Sequence, residues 1–84
     1  MKFDPSELTA AHIRAARQLL GWHAADLADR AGVGIATIRR AELCDGLTDM
    51  RAETAAKVAS ALQKGGIVFL GKDKRGGIGV RLRT

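Results

Sequence analysis

Apolar residues recur at helical spacing from Thr9 to Lys64, and at the Gly65-Gly66 pair the period changes from about 3.6 to two. A chain with that break reads as a helical body followed by paired strands. Thr9 is a hydroxyl placed to cap a first helix, Leu8 is set to pack on Ile13 as a hydrophobic staple, and Ile13, Ala16, Arg17 and Leu20 form one stripe that stops at Gly21. A second, short helix runs from Ala24 to Ala31, buries Ala24, Leu27, Ala28 and Ala31, and ends at Gly32. The third, from Ile35 to Leu43, turns Ile38, Ala41 and Glu42 inward and Ala36, Thr37, Arg39 and Arg40 outward. Cys44 to Leu47 reads as a loop turning at Gly46. Thr48 reads as the N-cap of a fourth helix, with Asp49 complementing its dipole and Ala55, Val58, Ala59 and Leu62 as its buried stripe. Ile67–Leu70 and Ile78–Arg83 then read as strands joined by the glycine-containing stretch 71–77. The expected fold is mainly α, four helices with a C-terminal β-hairpin, dividing into residues 1–64 and 65–84.

Charge divides at the same place. Residues 1–63 carry eight basic and eight acidic side chains, whereas residues 64–84 carry six basic groups against Asp73 alone, so the whole net charge of +5 sits in the last quarter of the chain. Such a surface suits a polyanion, and equally a solvated edge that resists aggregation. The first twenty residues include Asp4, Glu7, Arg14 and Arg17 and lack the apolar stretch of a signal peptide; the run 67–70 is far short of the roughly 18 residues of a membrane span. Cys44 is the single cysteine, which leaves no internal disulfide and no thiolate metal pair, so a reducing cytoplasm is the expected setting. His12 and His23 stand apart from Cys44 and from each other, giving no metal cluster and no nucleophile pair, and the 76–79 glycines lack the helix and lysine of a phosphate loop. No catalytic residue, metal or cofactor is expected.

Two short helices joined by a tight glycine turn, the second with a polar outer face, is the arrangement that places one helix in the DNA major groove. Ala28 is small where the helices cross, Gly32 follows four residues later, and Ile38 anchors the second helix six residues after that. The text Leu19-Leu20-Gly21-Trp22, Asp26-Leu27-Ala28, Ala31-Gly32-Val33 and Ala36-Thr37-Ile38-Arg39-Arg40-Ala41-Glu42 resembles the lambda-repressor-like, or Xre, family over residues 9–63. Where that family usually carries Ser-Gln at the start of the second helix, this chain has His23-Ala24, so the side-chain amide clamp on a phosphate is missing. Gly34 stands where a hydroxyl N-cap is common, and Arg51 is the lone basic group between the third and fourth helices.

The resemblance implies a DNA-binding transcriptional regulator whose third helix reads bases. With Ile38 inward, Arg40 is placed to donate to guanine while Ile35 and Ala36 can pack on thymine methyls. Thr37 and Arg39 are expected at phosphates, as are His23 and the backbone of Ala24 at the second helix start. Arg17 and Glu42, each the one charge on an inward stripe and opposite in sign, are expected to form a buried ion pair, as the family often does at these positions. Trp22 reads as a core lid, His12 as helix surface and Cys44 as a loop-end packing residue. In the hairpin, Ile67, Val68, Phe69 and Leu70 seek cover on both faces, and Val80 and Leu82 alternate with arginines, so the hairpin is expected to pair with a second copy in a homodimer on a short palindromic operator. The rival reading is an antitoxin or adaptor whose basic hairpin engages an acidic partner protein.

Overall fold

The computed structural model describes residues 3–44 and 48–83. A 3₁₀ turn η1 (Pro5–Glu7) leads into helices α1 (Ala10–Leu20), α2 (Ala24–Ala31), α3 (Ile35–Leu43) and α4 (Ala52–Lys64), followed by strands β1 (Ile67–Leu70) and β2 (Gly79–Leu82). The chain is thus mainly α with a C-terminal antiparallel hairpin. The turn η1 lies outside the sequence expectations, although its chemistry is local: the Asp4 carboxylate accepts the Ser6 N–H at 2.9 Å and Pro5 occupies the first turn, where its missing N–H costs nothing.

The first helix begins at a side-chain cap, and α1 and α2 both end at glycines in the left-handed region. Thr9 Oγ1 accepts the His12 N–H at 3.1 Å, and the His12 ring accepts the Thr9 N–H in return, a capping box with histidine in the place usual for Glu or Gln. Gly32 ends α2 at φ +71, and the Val33 N–H reaches back to the Ala28 carbonyl at 3.0 Å, so Val33 folds onto the core. The fourth helix departs from expectation. It starts at Ala52 rather than after Thr48, because the Thr48 N–H is bonded to the Leu8 carbonyl at 3.2 Å and Met50 packs on the core, which holds the segment extended across η1. Glu53, not Asp49, then lies in the first turn. The expected turn at Gly46 lies outside the described residues.

Leu8, Ile13, Leu27, Ile38, Val58 and Leu62 are all but inaccessible to water and form the centre of one apolar cluster that also takes in Ile67 and Phe69. The hairpin therefore completes the core of the helices. Its register pairs Ile67 with Leu82, Val68 with Arg81, Phe69 with Val80 and Leu70 with Gly79. Partners across a ladder share a face, so Ile67, Phe69, Val80 and Leu82 form one face and Val68, Leu70 and Arg81 the other. The hairpin packs on α1 and α4, while α3 packs on α1 and α2, which makes α1 the common support of both.

Trp22 is half-buried and packs against the core. Its ring lies against Gly65 at the end of α4, where a Cβ would meet ring carbons at 2.7 and 2.9 Å, and the Arg30 guanidinium sits 4.5 Å over the ring. Only glycine allows that approach.

Candidate nucleic-acid interface

Along α3, Ile38 and Ala41 are buried, while Ala36, Arg39 and Arg40 are exposed and Ile35 and Thr37 half-buried. Arg39, Arg40 and Ala36 thus share the side of the helix that faces away from the core, with Thr37 at its margin, while Ile35 packs against the core at the helix start. Among the described residues neither Arg39 nor Arg40 is held by a carboxylate. Gly34 provides no side-chain cap, and its carbonyl accepts the Thr37 N–H at 3.1 Å. The first amides of α3 therefore rely on partners other than a cap.

At the start of α2, His23 is exposed and Ala24 half-buried. The Asp26 carboxylate accepts the His23 N–H at 2.8 Å. A carboxylate already sits at the positive end of this helix, so the protein's own charge competes there with a phosphate. Arg51 is exposed at the N-cap of α4.

The pose of α3 is held from α1. Arg17 grips Glu42 with two parallel bonds, Nε to Oε2 at 2.8 Å and Nη2 to Oε1 at 2.9 Å, and its Nη1 donates to the Trp22 carbonyl at 3.0 Å. One side chain thereby ties α1 to α3 and to the entry of α2. The pair is less buried than its place on two inward stripes implies, with 17% of the Arg17 side chain and 11% of the Glu42 side chain still accessible. The hydrogen-bonded carboxylate raises the guanidinium pKa above its already high value, so Arg17 is charged at every working pH. Arg14, which the sequence reading passes over, donates to the Glu42 main-chain carbonyl and so secures the end of α3. Its signal was present: Arg14 stands one turn before Arg17 on the same helix. Cys44 follows, half-buried, its thiol 3.5 Å from the Arg40 carbonyl.

His12 requires a correction. Rather than lying on the helix surface it is 2% exposed, edge-on to Phe3 and Phe69 at ring separations of 5.2 and 5.5 Å. The ring is buried because the N-terminal segment and β1, distant in sequence, close over it. Of the hairpin residues considered for a subunit contact, Ile67 and Phe69 are committed to the protomer's own core, Val68 and Val80 are half-buried, and Leu70 and Leu82 are 40% and 42% exposed. Ile78 beside them is exposed as well.

No helix among the described residues is long and apolar enough to cross a membrane, and no three His, Cys, Asp or Glu side chains among them converge as metal ligands. A family model described as helix-turn-helix matches residues 13–67, roughly two thirds of the chain. No curated protein and no solved structure gives a significant match.

Proposed function

Because the chain belongs to the lambda-repressor-like helix-turn-helix family, a family of DNA-binding transcription regulators, we propose that it binds a short palindromic operator as a homodimer, with α3 in the major groove. The observation that carries this reading is the outer side of α3, where Arg39 and Arg40 stand exposed beside Ala36. Arg40 reads guanine through two hydrogen bonds, while Ile35 and Ala36 contact thymine methyls. Arg39 and Thr37 hold phosphates and set the register, with the main chain at Ala24 and the His23 ring in a lesser part because Asp26 competes for the same helix end. The site has binding groups and no reaction of its own.

Dimerisation is supported by the hairpin. A two-stranded sheet leaves both edges unpaired, and Leu70, Ile78 and Leu82 remain exposed beside them. Joining two hairpins covers these groups and sets two α3 helices against successive major grooves, about 34 Å apart. Residues 1–64 are then the reading part and 65–84 the pairing part. The basic groups Lys72, Lys74, Arg75, Arg81 and Arg83, all exposed, favour a second reading in which the hairpin meets an acidic partner protein.

The test is Arg40→Ala, measured against the preferred duplex and an unrelated one at the same stated salt. Affinity for the preferred site is expected to fall by about 1 to 3 kcal/mol, with the unrelated duplex nearly unaffected. An equal loss on both would make Arg40 a phosphate contact and remove it from base reading.

A further inference from the structure

His12 takes no part in the DNA-binding reading, yet it is among the most buried side chains of the molecule. Its Nδ1 accepts the Thr9 N–H at 3.1 Å and lies 3.1 Å from the Thr9 hydroxyl; its Nε2 lies 3.5 Å from the Leu70 carbonyl oxygen at the end of β1. A neutral imidazole has one acceptor and one donor, and an amide N–H can only donate, so Nδ1 is the acceptor and Nε2 carries the proton toward Leu70. Phe3 and Phe69, stacked at 4.4 Å, enclose the ring. One side chain thus joins the N-cap of α1, the N-terminal segment and the last residue of β1.

We propose that His12 is a proton-sensitive latch, which holds the hairpin against α1 when neutral and releases it when protonated. A proton on Nδ1 faces the Thr9 N–H and orphans that buried amide, leaves Nδ1 only the Thr9 hydroxyl that already accepts the His12 N–H, and places a charge among aromatic rings. The surrounding charges are few. Glu7 on η1 is the group whose field reaches the ring, and it favours the proton; Asp4 is occupied at the Ser6 amide. Lys72, Asp73 and Arg81 of the hairpin rim, with Glu7, a cavity of about 370 Å³ floored by Phe3 and Phe69. Glu53, Lys57 and Lys64 of α4 are turned to solvent, and Arg14 of α1 is exposed and engaged with the Glu42 carbonyl.

Burial is the dominant influence and lowers the His12 pKa, against the opposing pull of the Leu70 carbonyl and Glu7. The docked pKa lies below the ordinary value near 6.5, so the undocked chain takes up the proton first. The latch is closed in full above about pH 6.5 and loosens progressively as pH falls below it. Its consequence for DNA rests on the reading of the hairpin as the subunit contact: acid would then weaken operator binding from a point remote from α3.

Proton NMR follows the His12 ring with pH, and amide exchange compares the hairpin with α2 and α3 after correction for intrinsic rates. His12 is expected to titrate below the ordinary histidine value, and hairpin protection to fall by up to about tenfold per pH unit below 6.5. In His12→Gln, where the amide oxygen still accepts the Thr9 N–H but cannot titrate, hairpin protection is expected to stay flat. Should that variant fold poorly, the His12 ring and the hairpin protection of the parent chain decide alone. His12 titrating at or above the ordinary histidine value, hairpin protection that stays flat with pH in the parent chain, or equal acid loosening in a folded His12→Gln, overturns the latch. Operator affinity measured on the same samples separates the two readings. Acid opening of the hairpin in a protein that binds no duplex at any pH upholds the latch and defeats the DNA-binding reading.

Discussion

At Arg17 a guanidinium spends its donors on two carboxylate oxygens and a main-chain carbonyl, which makes it the most heavily used side chain between α1 and α3. Removing one partner leaves the other charge in a site with few alternatives. Arg17→Met or Glu42→Leu is expected to cost about 3 kcal/mol in urea unfolding, the low end for a broken buried pair because some solvent reaches both groups, and the double variant should cost less than the sum of the two. Single variants as stable as the parent would show that water replaces the pair at no cost. These two residues were legible in the sequence, each being the one charge on an apolar stripe. His12 stands four residues before Ala16 and so on that same stripe, but its residue type argued for the surface. Its burial depends on Phe3 and Phe69, which no local period connects to it.

Glycine explains much of what was readable at the level of elements, since Gly21, Gly32 and the 65–66 pair end three helices where the apolar stripes stop. The start of α4 was not readable. Thr48 has the chemistry of a cap, but the long-range bond of its amide to the Leu8 carbonyl, with Met50 packed on the core, holds the following residues out of the helix. Gly65 has a role that helix endings alone do not reveal. Its φ of −75 is ordinary for any residue, and alanine would gain up to about 1 kcal/mol in helix propensity there. Against that gain stands a Cβ at 2.7 Å from an indole ring that Arg30 covers on another side. The clash wins: Gly65→Ala is expected to destabilise by about 1 to 3 kcal/mol and to alter the emission of the single tryptophan. An alanine variant as stable as the parent, with unchanged emission, would mean that Trp22 is free to move aside.

For the whole molecule, charge is uneven: residues 1–63 are neutral in sum and the net +5 sits in residues 64–84. The proposed reading surface on α3 owes its cations to Arg39 and Arg40, whereas most of the net positive charge sits on a hairpin that rests on α1 and α4. The helices and the hairpin were legible because each has its own period; which hairpin groups stay exposed was not, because Ile67 and Phe69 find cover in the protomer itself. The central claim is that two copies read DNA sequence through α3. Selection of bound duplexes from random DNA, at a stated salt concentration, tests it most directly. The account predicts an enriched sequence of two inverted half-sites centred about 10 to 10.5 base pairs apart, or a multiple of that spacing. A single enriched half-site would contradict the dimer, and a selected pool indistinguishable from the starting one would contradict sequence reading altogether.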